Sequence, residues 1–346
     1  MSSGVLYGRI RGKKQIPQGN IAESKRILMM QQRNNMLGLL LLSATALIWG
    51  GSFVAQKLGM DHIGPFSFTF FSDLLAGTFL LSLAAFRSIA KGERFSWSRT
   101  DVIGGIASGF GLWCGMMLQQ IGIQWTSPGV CAFLTANYVL VVPVLGLFAG
   151  RRPGASVWLG VALSLTGSWL LCNPAADAAK SSASALPVGE MLSVMCAIAF
   201  GAQICVVERF MSRPDADALR LTCVSFATGA LLCVPFLFIP SERSLLTCSN
   251  VTGAIGAIAF CGFLSSGLAC TLQNAGQRLV APPVAALVLA QESVCATVLG
   301  VIFLGDTFTR HQIAGCAFVF AAVVMTQLCQ LFPSRGQGKT GDAASV

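Results

Sequence analysis

Apolar stretches of about twenty residues recur between Met36 and Phe332, and no connection between them is long enough to fold by itself. A helix of that length crosses the roughly 30 Å hydrocarbon core of a bilayer, where only helices and closed barrels satisfy every backbone N–H and C=O. The run lengths select helices. Composition agrees, with 54% of residues hydrophobic and 11% charged, against about 25% charged in a soluble domain. The bulk of the chain is therefore expected in the membrane.

Spans are predicted near 36–56, 66–86, 102–122, 127–149, 155–172, 188–208, 218–239, 251–274, 282–304 and 311–332. Proline punctuates their starts at Pro65, Pro128, Pro153, Pro282 and Pro283. Residues 1–35 hold seven Lys/Arg and a single acid, Glu23, with no small-residue cleavage site after the first apolar run. They read as a disordered cytoplasmic tail rather than a signal peptide. With that tail inside, nineteen Lys/Arg lie on the inner side, and Lys57, Lys180, Arg243 and Arg310 are the four outside. The positive-inside rule then puts both termini in the cytoplasm and requires an even number of spans. The net charge of +9 is thus a matter of topology. No basic patch interleaved with aromatics accompanies it, so nucleic acid is not expected as a partner. The thirteen cysteines lie almost entirely in apolar runs and form no C-x-x-C pair, which makes them small packing residues.

The two halves of the chain match each other. At an offset of 154, "LQQIGIQWTSPGVCAFLTANYVLVVPVLG" (118–146) lies over "LQNAGQRLVAPPVAALVLAQESVCATVLG" (272–300) with ten identities in twenty-nine positions, where about two would arise by chance. At an offset of 151, "ALIWGGS" lies over "AIAFGAQ". The repeat has five spans, an odd number, so the second copy is inserted upside down, and in inverted repeats the substrate site lies at the repeat interface near the bilayer midplane. The expected fold is an all-α polytopic membrane protein, ten transmembrane helices in two inverted five-helix repeats. Its parts are a basic tail (1–35), a first repeat (36–172), an outer linker (173–187), a second repeat (188–332) and a cytoplasmic C-terminal tail (333–346).

Three segments, "LIWGGSFVAQK" (47–57), "LQQIGIQWTSPGVCAFLTANYVLVVPVLGLFAGRRP" (118–153) and "ALVLAQESVCATVLGVIFLGDTFTRHQIAG" (286–315), carry a family resemblance. Over residues 36 to 332 the chain resembles the EamA branch of the drug/metabolite transporter superfamily, in its bacterial ten-span form. The resemblance implies a basket of helices around a central cavity lined by spans 1, 3, 4, 6, 8 and 9, moving small metabolites by alternating access without ATP. The chain departs from the family in two places. Ser72-Asp73 stands where Arg is frequent, and Ser293 stands where Pro often follows the span 9 Glu, so span 9 keeps a backbone N–H and should kink less.

Glu292, deep in span 9, is the residue that most asks for an explanation, because a carboxylate at the centre of a span costs about 2.5–3.5 kcal/mol on insertion scales. Gln291-Glu292 lies over Asn137-Tyr138 in the repeat, and both dipeptides are expected to face one cavity. The alternative is a protonated Glu292 held in a helix–helix hydrogen bond. Asp73, in span 2, is the second deep acid, either a proton group or a structural one. Trp49 could form a pocket wall that attracts cations, or simply pack. Gln119, Gln203 and Gln273, with Gln120 and Asn274, either line the cavity or bond between helices.

These residues make a secondary active transporter, in the exporting direction, the leading expectation. Every Lys and Arg sits at a span end, whereas the deepest ionisable groups are acids. A neutral, zwitterionic or amine-bearing cargo such as an amino acid fits that arrangement better than a dianion. Expected partners are this small molecule, protons as a coupling ion, membrane lipid and, as an option, a second copy in a homodimer. No cofactor and no metal are expected, since His62 and His311 have no ligand spacing. An intramembrane enzyme is the runner-up, but no H-E-x-x-H or G-x-S-x-G supports it. A membrane sensor or accessory subunit would call for an extramembrane domain that the sequence does not contain. The location implied is the inner membrane of a cell.

Overall fold

The computed structural model describes residues 21–148, 155–172, 188–277, 279, 288–289 and 291–331, and among these it is helical with no strand. The order is α1 (Ile21–Met60), α2 (Pro65–Ala90), α3 (Arg99–Trp125), α4 (Pro128–Thr135), α5 (Tyr138–Phe148), α6 (Ala155–Cys172), α7 (Val188–Met211) and α8 (Ala218–Cys233). A 3₁₀ turn (Val234–Phe238) leads to α9 (Pro240–Leu245) and α10 (Cys248–Ala259), and a π-helix (Phe260–Ala269) to α11 (Cys270–Gln277), α12 (Gln291–Leu304) and α13 (Arg310–Leu331). Among the described residues seven helical segments are long and apolar enough to cross a membrane, and Trp158–Leu171 and Gln291–Leu304 are shorter apolar helices. Part of span 9 and the segments 1–20, 173–187 and 332–346 lie outside the described residues.

Three local features depart from uniform helices. First, α1 begins at Ile21, so residues 21–35 are helical rather than a disordered tail. No Gly or Pro interrupts the chain from Ile21 to Leu37, and Ala22, Glu23, Lys25, Leu28 and Met29 are good helix formers. Second, span 4 breaks at Ala136-Asn137, between α4 and α5. The Asn137 amide donates to the carbonyl of Leu134 (2.8 Å) and to Ser168 Oγ (3.2 Å), while Ser164 Oγ donates to its Oδ1. An amide that bonds the preceding turn competes with helix continuation. Third, span 8 runs as a π-helix for ten residues. Side chains of span 1 bond to it: Trp49 Nε1 donates to Ser265 O (3.1 Å) and Thr45 Oγ1 to Ala269 O (3.3 Å).

Packing follows the repeat. α1 lies on α10, the π-helix, α11 and α12, just as α7 lies on α3, α4 and α5; α2 meets the π-helix as α8 meets α3. The pairs α2 with α8, α4 with α12 and α6 with α13 each join a span to its own repeat counterpart. In the last pair a Cβ at Gly167 would stand 2.8 Å from Gly315 O, and one at Gly315 2.8 Å from Gly167 O, so both helices need glycine to cross at backbone contact.

The two ends of the bundle are tied differently. At the end that carries Lys57, the Glu242 carboxylate accepts from Phe66 N (3.3 Å), Ser67 N (3.0 Å) and Ser67 Oγ (2.6 Å), capping the first turn of α2. The largest buried apolar cluster, including Phe53, Met60, Ile63, Phe68, Ile123 and Ala254, closes the same end. At the other end Asp217 caps α8 through Leu219 N and Arg220 N, pairs with Arg87, and donates its backbone N–H to Asp101 Oδ1 (2.8 Å). Burial pushes the Asp217 carboxyl up, but the Arg220 N–H and the Arg87 guanidinium outweigh it and hold the group below its ordinary value.

Glu242→Ala should lower stability in detergent by about 1–2 kcal/mol, the worth of a lost charged cap, while a change at exposed Asp61 should not; thermal unfolding compares the two. A carboxyl held low in the folded state stabilises above the unfolded pKa of about 3.9, and that contribution is lost as the pH falls through the folded value. Asp217→Asn should therefore be less stable than the parent at neutral pH and lose less stability on acidification, read as Tm against pH. A parallel pair of curves would contradict this.

Candidate functional site

Glu292 is the second residue of α12 and is 5% exposed. The turn that carries it is clamped from two sides. A Cβ on Gly50 would lie 2.5 Å from Cys295 Cβ and 2.8 Å from Glu292 O, so α1 reaches the backbone of α12 only because residue 50 is glycine. From α4, the Ala132 carbonyl accepts the Ser293 hydroxyl (3.2 Å). Serine in place of the family's proline thus ties span 9 to span 4 next to the acid.

Across from this turn stands Tyr138, the first residue of α5, immediately after the break in span 4. Its hydroxyl lies within electrostatic reach of the Glu292 carboxyl. The two are repeat counterparts, so the pair straddles the relation between the halves. Neither the carboxyl nor the phenol hydrogen-bonds a described residue, and neither Glu292 oxygen is among the enclosed unpartnered atoms.

The other members of the two dipeptides are not brought to this point. Asn137 is spent on the helix break and on Ser164 and Ser168 of α6. Gln291, about 100° round the helix from Glu292, lies on the exposed face of α12. Both dipeptides were expected to face one cavity; of the four residues, Asn137 bonds within its own half and Gln291 is exposed.

The remaining candidates are placed as follows. Trp49 packs on Leu42, Val288 and Leu289, with its N–H bonded to the π-helix. Gln119 is buried; it donates to Gln56 Oε1 (3.0 Å) and accepts from Cys196 Sγ (3.7 Å), joining α1, α3 and α7. Gln203 donates to Ser108 Oγ (2.9 Å), between α7 and α3. Gln273, in α11, is half-buried and makes no hydrogen bond to a described residue. Asp73 is 2% exposed, with Oδ2 enclosed and unpartnered against Gly229 of α8. The groups its charge reaches are Cys233 and Cys261, so it stands apart from Glu292. No three potential metal ligands gather among the described residues.

A set the sequence reading passed over is Lys57, Thr126 and Glu190. Lys57 Nζ donates to Thr126 O (2.6 Å), and Thr126 Oγ1 donates to Glu190 Oε1 (3.1 Å). The sequence places Lys57 among the outer charges, in the last turn of span 1, and Glu190 in the first turn of span 6, but it does not show that Thr126 joins them.

With this geometry, the comparisons with known proteins agree on one class. The EamA-like transporter family matches the chain twice, over residues 36–173 and 187–328. An uncharacterized transporter of Archaeoglobus fulgidus is 27% identical over 291 residues, 83% of this chain and 84% of the relative. The threonine/homoserine exporter RhtA of Escherichia coli K12 is 27% identical over 290 residues, 82% of this chain and 88% of its own. A solved crystal structure 18% identical to the chain superposes with a TM-score of 0.56 over 84% of this chain and 98% of that one, a likeness of fold. Two family matches that together span most of the sequence, laid on this many apolar helices, make the chain a multi-pass membrane protein that belongs to the EamA-like transporter family of the drug/metabolite transporter superfamily.

Proposed function

We propose that the protein is a secondary active exporter of a small neutral, zwitterionic or amine-bearing metabolite such as an amino acid, working by alternating access in an inner membrane. In this reading ten spans form two inverted five-helix repeats, with both termini and the Arg87 end of the bundle in the cytoplasm and the Lys57 end outside. The observation that carries it is the facing of Glu292 and Tyr138, repeat counterparts that lie near one another with no hydrogen bond to a described residue. In an inverted repeat, a site on the pseudo-two-fold relation is the place that both sides of the membrane can reach in turn. RhtA, a relative named as a threonine/homoserine exporter, supports an amino acid as the cargo class.

Glu292 supplies the coupling. A carboxyl that meets water first on one side and then on the other can exchange a proton with each. An approaching ammonium favours the ionised form, so cargo binding and protonation compete for the same oxygens. Tyr138 offers a hydroxyl that can bond either the cargo or the acid. Asp73, sealed against α8, is assigned a structural role.

In proteoliposomes with matched protein content, Glu292→Gln should insert and fold as the parent does, lose pH-gradient-driven threonine transport by about tenfold or more, and keep at most slow downhill exchange. Asp73→Asn should be milder. Parent-like rate and pH dependence in Glu292→Gln would contradict the coupling role, and a sugar phosphate or dicarboxylate as the best substrate would contradict the cargo class.

A further inference from the structure

The half-buried charges of Lys57 and Glu190 lie close enough that both reach the Cys131 thiol, yet they form no ion pair with each other. Between them sits Thr126, 8% exposed, whose carbonyl accepts from the ammonium and whose hydroxyl donates to the carboxylate. This joins span 1, the α3–α4 connection and span 6 at the end where the buried apolar cluster also closes the bundle. Thr126 is thus the only group that stands between this cation and this anion among the described residues.

Thr126 therefore holds the place of a ligand with an acceptor at one side and a donor at the other. Within one threonine residue the carbonyl oxygen and the hydroxyl are roughly 3–4 Å apart, the same scale as the separation of carboxylate and ammonium in a free α-amino acid. We propose that Lys57 and Glu190 form an exit site for zwitterions, in which the cargo carboxylate takes over the Lys57 bond and the cargo ammonium takes over the Glu190 bond as the outer end opens. The inference rests on the exporter reading above and narrows its cargo to molecules with both charges.

The physical basis is differential affinity. A ligand can shift a closed–open equilibrium only by what it binds better in the open state. A zwitterion replaces both Thr126 bonds with charge-assisted ones. A molecule with one charge leaves the other side chain unpaired in a partly desolvated place, which a polar site penalises heavily. The site is thus complementary to both charges together, whereas Glu292 by itself answers only the ammonium.

The test uses three probes on the purified full-length protein: L-threonine, L-threoninamide without the carboxylate, and 3-hydroxybutyrate without the α-ammonium. Ligand-induced thermal stabilisation and proteoliposome transport are both measured. The parent should prefer threonine over each one-charge analogue by at least about tenfold. Lys57→Gln should erase the preference over threoninamide and keep that over 3-hydroxybutyrate, Glu190→Gln should weaken the preference over 3-hydroxybutyrate, leaving the share owed to Glu292, and keep that over threoninamide, and Lys57→Arg should restore the parent pattern. Glu292→Gln should lose proton-driven transport and retain the preference for the zwitterion over 3-hydroxybutyrate. If both single variants lower all three probes equally, or leave the preferences intact, Lys57 and Glu190 are a structural latch and the exit site is overturned while the exporter reading stands. A parent that neither binds nor transports threonine overturns both.

Discussion

A backbone carbonyl that loses its helical partner inside a bilayer costs several kcal/mol unless another donor takes it. Most of the distinctive geometry of this chain follows from how that cost is met. In span 4 the Asn137 amide takes up Leu134 O, so the helix can end at Thr135 and restart at Tyr138. In span 8 Ser265 O and Ala269 O also accept side-chain bonds from Trp49 and Thr45 of span 1. The break gives Tyr138 the first position of a new helix, facing Glu292, and the π-helix fixes the face of span 1 whose Gly50 touches the Glu292 turn. Irregular backbone and polar side chains are therefore two parts of one arrangement around the acid.

Polar links between helices fall into two groups. Ser52, Gln56, Gln119 and Cys196 form a buried chain across α1, α3 and α7, with Gln56 donating to Ser52 Oγ (3.4 Å). Such bonds are each worth little in a membrane, averaging about 0.6 kcal/mol, which suits contacts that must form and break during a transport cycle. The backbone-level crossings at Gly167 with Gly315 are of the other kind, shape contacts without a polar switch, and they join spans 5 and 10 away from the acid. The molecule thus combines close backbone crossings with polar links between helices.

The helical, twice-repeated fold was legible in the sequence because the length of apolar runs and the repeat offset are one-dimensional signals. The correspondence of Glu292 and Tyr138 is likewise a one-dimensional signal, read from the repeat offset. What the alignment could not give was direction about the helix axis: Gln291 and Glu292 are neighbours in sequence and about 100° apart on a helix. Asn137 escaped for a related reason, since a polar residue in an apolar run reads the same whether it lines a cavity or mends a broken helix. Lys57 was read by its charge and its nearness to a loop, while its role depends on Thr126 and Glu190, which come from two other spans. Helix 21–35 was missed because charge was weighed above local helix propensity.

If cargo and proton compete for Glu292, binding must release protons. Threonine can be titrated into the detergent-solubilised protein in a weakly buffered solution with a pH indicator. The account predicts uptake of cargo with release of up to about one proton per molecule bound, fading at high pH where the acid is already ionised, and none in Glu292→Gln. Equal proton release by the parent and Glu292→Gln, or saturable threonine binding by the parent with no release at any pH, would contradict it.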